Sequence, residues 1–578
     1  MGKRELKHLI DVAAGREKAD LCLMNCKVID VYNRQIFSSD VYIADGIITG
    51  FGNDSFMDAV ETFDAKGKYL CPGFIDSHVH IESSHLSPRE FSREVVPHGV
   101  TTVVADPHEI CNVCGLDGFD YMLNASENIA LQVFLQFPSC VPSTPFENAG
   151  AVLSAKEIAK RIGHARVLGL GELMNFVGTC SGDNEILDKI LEAKNINKII
   201  DGHCPGLTDE MLDAYAVSGV ANDHESTTVK ELEDKVRRGM YVLLREGTGC
   251  KDVLNLLPGV NESNYRFCLF CTDDRQAWSL EHEGTIDNNY RIAVAAGLDP
   301  LMAICMCTIN ASECFGLKDR GAIAPGKRAD LILFDDLNNF TASNVWIGGK
   351  LVAKNGNYLA QDEITNPVGV SGSMHVKDFS EEKLRLVLNT DRVRTIKMIP
   401  GSAVTDSGDA FVKRNSNNEW IRDEQDIVKV AIVERHKGTG NVGLGLLEGY
   451  GLKGGALAMT IAHDSHNIIV VGDNDRDMAT AVNKLIEIGG GLALAKNGEI
   501  LDYAVREIAG LMTDKHGKDV ADSIGKLIAT ARKELKINPE YSPFMPLCFV
   551  ALPVIPKLKI TDTGLFDVNS FCHVKCEI

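Results

Sequence analysis

Eight short apolar runs, about 20 to 35 residues apart and separated by helix-like stretches, constrain this chain more than any other feature. They occupy residues 69–75, 100–105, 131–137, 167–170, 198–201, 219–222, 241–244 and 267–271. Runs this short and this continuously apolar suit strands of a parallel sheet, whose two faces are both covered by helices. Eight such β/α units predict a (β/α)8 barrel over residues 69–325.

The flanks have another texture. Residues 1–68 contain ADLCLMNCKVIDVY and DVYIADGIITGFG, with Asp45-Gly46 as a hairpin turn. Residues 326–385 contain ADLILFD and NVWIGGKLVAKNG, turning at Gly348-Gly349. These two segments are expected to pair into one composite small β-domain. From residue 386 to 578 the chain reads as an additional C-terminal α+β domain. It has strand-like RTIKMIPG, KVAIVERH and HNIIVVG, and helical DRDMATAVNKLIEIG and ADSIGKLIATARKEL. The expected fold class is therefore α/β, a barrel with two attached units.

The strongest local motif is CPGFIDSHVHIE. His78 and His80 are two apart at the end of the first run, and in extended backbone such side chains share one side. A pair of imidazoles there, where barrel active sites lie, makes a metal-binding pair. The plain alternative is two exposed loop histidines. Glu172 ends VLGLGE, His203 ends KIIDGH, His224 ends GVANDH and Asp273 ends RFCLFCTD. Each alone reads equally as a cap or a turn residue. Together they put four histidines and two carboxylates on one rim.

This order of strand-end residues resembles the amidohydrolase superfamily. DSHVHIESSHLSP, ADPHEI, GLGELMN, DGHCPGL, CTDDR and AHDSHN narrow the resemblance to the bacterial-type adenine deaminases, over nearly the whole chain. The resemblance implies metal ligation by His78, His80, Glu172, His203, His224 and Asp273. Glu172 stands where many superfamily members carry a modified lysine. His78, His80 and Asp273 would serve one ion, His203 and His224 a second, with Glu172 bridging. Such donors suit Mn2+, Fe2+ or Zn2+; the resemblance implies manganese or iron, about two ions per chain. The implied reaction is hydrolytic deamination of adenine to hypoxanthine and ammonia by a metal-activated hydroxide.

In that reaction Asp273 takes the water proton and returns it to the leaving amine. N1 of the ring must gain a proton, and His108 or Glu109 in ADPHE can supply or receive it; an exposed loop pair is the other reading. His282 and Glu283, in EHEGTIDNNYR, are candidate substrate-binding residues over the pocket, or else a solvated helix start. His463, Asp464 and His466 in AHDSHN read as a polar turn, with closure over the barrel mouth or a further ion as alternatives. His85 has no assigned role.

Composition excludes other classes. Lys+Arg number 59 against 80 Asp+Glu, a net charge of −21 that argues against nucleic acid or anionic membranes as partners. Seventeen scattered cysteines, several in apolar runs such as LMAICMC, suit reduced thiols in a cytoplasmic protein. The start has no apolar signal-peptide core, and no uncharged run reaches the roughly 18 residues of a membrane span. The partners expected are adenine and water, with a homo-oligomer, such as a dimer, as the assembly.

Several tempting motifs lack a part. His80-Ile81-Glu82 imitates the His-x-Glu of the zinc deaminases of nucleic acids, but no Pro-Cys-x-x-Cys accompanies it. GAIAPGKR ends in Arg328 where a phosphate loop needs Ser or Thr. Gly438 to Gly443 matches a dinucleotide fingerprint but leads into more glycines rather than a helix. Two alternatives to the adenine reading remain at this stage. One is another amidohydrolase reaction (a cyclic amidase, a deacetylase or a different deaminase) on the same metal site. The other is a barrel scaffold without catalysis.

Overall fold

A computed structural model describes residues 2–52, 58–400, 402 and 404–578. Gly401, the end of the expected RTIKMIPG strand, lies outside the described residues.

Strands from both flanks build one nine-stranded sheet. Its seam is the antiparallel pairing of Leu331–Phe334 with Tyr69–Pro72, in register Leu331 to Pro72 and Phe334 to Tyr69. Both expected hairpins turn where φ is positive, at Asp45 and Gly46 (51° and 74°) and at Gly348 and Gly349 (56° and 74°). Two successive positive values match the right-handed strand twist, which is why Asp-Gly and Gly-Gly occupy these turns.

The first apolar run is split, a correction to the boundary at residue 69. Tyr69–Pro72 stays in the composite sheet, and the first barrel strand starts at Phe74. Gly73 is the crossing point. A Cβ there would lie 2.1 Å from Thr101 Oγ1, so only glycine lets the chain pass into the barrel.

Eight parallel strands follow: β1 (Phe74–Val79), β2 (Val100–Ala105), β3 (Gln132–Phe137), β4 (Val167–Leu173), β5 (Ile199–Gly202), β6 (Asn222–Asp223), β7 (Tyr241–Arg245) and β8 (Cys268–Cys271). Strands β1 to β5 hydrogen-bond in sequence order, as do β6 to β8. Ala221 N–H donates to Ile200 O at 2.9 Å across the β5–β6 seam. The end of β8 returns to the end of β1, with Asp273 N–H donating to His78 O at 3.0 Å. Every residue of β1, β2 and β8 is buried, as in strands covered on both faces.

The C-terminal part forms an eight-stranded sheet with its own helices. Its central strand Ile427–Val433 has two buried faces. Val430 and Ile432 join the large core shared with the barrel, while Ala431 and Val433 pack toward helix Asp475–Ile488. That two-residue alternation places the sheet between the barrel and a helical layer. Part of the glycine-rich segment that begins at Gly438 is a strand, Val442–Glu448. A Cβ at Gly443 would meet Thr561 O at 1.9 Å, so the glycine permits close backbone packing. A second boundary also moves. Met374, Val376, Phe379 and Leu384, expected in the composite β-domain, pack on the C-terminal sheet instead. No helix among the described residues is long and apolar enough to cross a membrane.

Candidate metal centre

The carboxyl ends of the barrel strands bring six side chains together. His78 and His80 come from the end of β1, Glu172 from β4, and Asp273 follows β8. His203 follows β5 and His224 follows β6. All six are buried, none more than 5% exposed.

Glu172 is the centre of the arrangement. Its Oε1 lies 3.1 Å from His78 Nε2 and 2.9 Å from His80 Nε2. Its Oε2 lies 2.8 Å from His203 Nδ1 and 3.6 Å from His224 Nε2. One carboxylate thus turns one oxygen toward each pair of imidazoles. Asp273 Oδ1 completes the first side, 3.1 Å from His80 Nε2.

Local packing fixes these directions. Asp106 Oδ2 accepts from Glu172 N–H at 2.8 Å, and a Cβ on Gly171 would lie 2.2 Å from that oxygen. The glycine before Glu172 is therefore required for the strand to seat. The Asp106 carbonyl contacts His80 Nδ1 at 2.9 Å, leaving Nε2 to face inward. Arg245, at the end of β7, donates to Asp273 Oδ2 at 2.9 Å and also binds Glu225. Tyr215 Oη accepts the His203 N–H at 3.0 Å and donates to Leu173 O at 2.9 Å.

The electrostatics match a shared anion among imidazoles. Burial opposes ionisation of Glu172, but His224, His203, His78 and His80 hold its carboxyl well below the usual range. Burial pulls the His78 imidazole down, yet Asp201 and Glu172 push it up to about 10. His224 goes the other way, to about 4, through burial and the positive charge of His78. These donors suit a divalent cation. The His78 and His80 Nε2 atoms face each other at 3.2 Å, and buried Glu172 Oε1 and His203 Nε2 have no hydrogen-bond partner. Imidazole nitrogens and carboxylate oxygens that converge this way match borderline metals such as manganese, iron and zinc.

Comparison with known proteins shows the family. Residues 69–352 match the amidohydrolase family and residues 402–572 the adenine deaminase C-terminal domain. An adenine deaminase 2 of Desulfotalea psychrophila is 49% identical over 578 residues, covering all of both chains. An adenine deaminase of Nitratidesulfovibrio vulgaris is 47% identical over 98% of each chain, and one of Ligilactobacillus salivarius 45% identical over all of both. The chain belongs to the adenine deaminase family. Membership in the amidohydrolase superfamily implies a divalent metal, in agreement with the donor set.

The rim of this family member opens into a cavity of about 670 Å³, within the range of small-molecule sites. His80, Glu172, His203, His224 and Asp273 lie at its floor, with Met174, Pro205, Phe549, Leu552 and Ile555 on its apolar walls. His108 and Glu109 also line it, buried at the start of helix His108–Ala125 rather than on an exposed loop. His463 and Asp464 line it too, so AHDSHN is no ordinary turn but a wall of the cavity delivered by the C-terminal domain. His463 Nδ1 lies 3.1 Å from Glu109 Oε1, and Ser83 Oγ donates to the same oxygen at 3.0 Å. Burial opposes ionisation of Glu109, but His463 holds its carboxyl well below the usual range.

Two expected residues are placed elsewhere. His282 is exposed and stacks on Trp278 at 4.4 Å between ring centroids. Glu283 is taken up by Arg275 at 3.0 Å and Lys251 at 3.3 Å. Neither lines the cavity: His282 faces solvent, and Glu283 is drawn to the buried Arg275. His85 is buried against the C-terminal domain, its Nδ1 3.3 Å from Arg506 Nη2. Sequence reasoning missed Arg245, Glu225 and Asp274, which also line the cavity. Arg245 ends the run YVLLR, and its position at a strand end was the available signal.

Proposed function

We propose that this chain deaminates adenine hydrolytically, giving hypoxanthine and ammonia, with two divalent cations held at the barrel rim. The observation that carries the reading is Glu172, whose two oxygens are divided between His78/His80 and His203/His224. His78, His80 and Asp273 would hold one cation, His203 and His224 the other, with Glu172 shared. Bound together, two such cations let a water lose its proton near neutral pH and become a nucleophile.

The chain's own residues supply the rest. Asp273, fixed through Oδ2 by Arg245, accepts the water proton and passes it to the departing amine. As oxygen bonds to C6, the ring's electron pair moves onto N1, which takes a proton. The C6–N6 bond then breaks, ammonia leaves, and the C6 hydroxyl returns its proton to the Glu109–His463 pair that protonated N1, leaving the 6-oxo product. Glu109 and His463 hold a proton at the cavity wall for N1, with His108 beside them. Met174, Phe549, Leu552 and Ile555 offer apolar surface to a flat base and limit the water around it. Manganese or iron as the native cation and a homo-oligomeric assembly belong to the same reading.

The test combines metal analysis with an ammonia-release assay after reloading with Mn2+, Fe2+ or Zn2+. Adenine, adenosine, cytosine, guanine and a cyclic amide are compared. The expected result is turnover of adenine with about two ions per chain. Ammonia from another substrate but none from adenine would replace this reading with a different amidohydrolase reaction.

A further inference from the structure

A second cluster of metal-binding side chains lies beside the rim. It joins His108 at the start of helix His108–Ala125, Cys140 just after β3, and Asp464 on the C-terminal domain. All three are buried, at 3%, 5% and 1% exposure. Their donor atoms lie within 4.8 Å of one another, and His108 Nε2 is 3.7 Å from Asp464 Oδ1. A tetrahedral zinc-like ion, with bonds of about 2.0 to 2.3 Å, spaces its donors about 3.3 to 3.8 Å apart. The nitrogen and the carboxylate oxygen already have that spacing.

Two independent observations point to a ligand there. Asp464 Oδ2 is buried and without a hydrogen-bond partner. His108 Nδ1 and Asp106 Oδ1 likewise lack hydrogen-bond partners and stand 3.7 Å apart, with Glu172 Oε1 also 3.7 Å from Nδ1. A small approach would let Nδ1–H donate to Asp106, which fixes the tautomer that leaves Nε2 free for a cation. That is how a carboxylate behind a ligating histidine orients it.

We propose that His108, Cys140 and Asp464 form a further metal site, adjoining the Glu172 pair, taking a thiophilic divalent cation of the zinc or iron(II) kind. A thiolate with an imidazole and a carboxylate selects that class over magnesium or calcium. On binding, the Cys140 thiol loses its proton to solvent and the sulfur takes the cation. Thiolate and carboxylate then balance the two positive charges. The three donors come from two barrel strand ends and the C-terminal domain, so the ion clips that domain to the barrel. His108 and Asp464 line the cavity, which leaves a fourth position open to water or to a ring nitrogen of a bound base.

The site is tested with Co2+ alone, added to the full chain after chelator treatment. None of the six rim donors is a thiolate, so Cys140 gives a distinct signature. The expected result is a sulfur-to-cobalt charge-transfer band and about three ions per chain, falling to about two without the band in C140A and in C140S. D464N, which keeps the thiol, should also lose one ion, and circular dichroism verifies that each variant folds. An unchanged band and cobalt content in C140A, or no band in the saturated unsubstituted chain, would overturn the proposal. Adenine turnover is assayed separately, so failure of this site and failure of the deaminase reading are distinguishable.

Discussion

Two buried charged clusters sit in the same barrel and differ in how they are satisfied. At Asp287, every charge has an opposite neighbour. Its Oδ2 lies 3.0 Å from His98 Nδ1 and 2.6 Å from Arg291 Nη1, and its Oδ1 accepts the Thr285 N–H at 2.7 Å. At the rim, imidazole nitrogens face one another and buried acceptors are left open. A buried polar group without a partner costs about 1–3 kcal/mol. The Asp287 network therefore stabilises the fold by itself, whereas the rim is arranged around cations that would complete it.

The sharpest way to break that contrast is to replace Glu172. E172Q is expected to lower kcat/KM by more than about 100-fold, beyond the effect of losing an outer partner of a metal ligand. Metal analysis should show a loss of bound cation, with circular dichroism verifying that the variant folds. Unaltered cation content and turnover instead would make the rim a structural network like Asp287. Next comes E109Q, expected to cost about 100-fold or more in kcat, as for a positioned proton-transfer group. Unaltered turnover would remove Glu109 from the proton path.

D287N tests the other side. Burial opposes ionisation there, but His98 and Arg291 hold the Asp287 carboxyl down at about 2 against an ordinary 3.8. A depressed carboxyl stabilises the fold fully above its unfolded value and loses that contribution as pH falls through the folded value. D287N should thus unfold more easily by about 2 kcal/mol at neutral pH. The deficit relative to the unsubstituted chain should shrink between about pH 4 and pH 2. Chemical denaturation at several pH values measures it, and kcat should be nearly unchanged. The smallest effect is expected at His282. H282Q should alter kcat/KM by less than about twofold, in line with exposed positions outside a site; a larger drop would bring His282 back to the substrate.

Much of the barrel was legible because buried parallel strands must be continuously apolar, and polar residues at their ends then stand out. VLGLGE, KIIDGH and RFCLFCTD each announce a strand and its terminal donor together. The less legible parts follow from geometry that sequence distance hides. The run at 69–75 looked like one strand because Gly73 gave no sign of the Thr101 side chain it passes. The strand Val442–Glu448 gave no sign of itself because Gly443 is needed by a neighbour 118 positions away, Thr561. The two readings of His282 could not be separated in sequence, because the phase of a short helix, set by packing, decides whether a side chain faces cavity or solvent.

Sequence alone determined the alternation of strands and helices, the six donors at strand ends and the family they resemble, since each is written in local spacing and side-chain chemistry. Only the tertiary structure decided that Arg245 holds Asp273, and that His463 and Asp464 wall the cavity. Those relations depend on backbone paths that bring distant segments within a few ångströms, and no local pattern encodes such a distance.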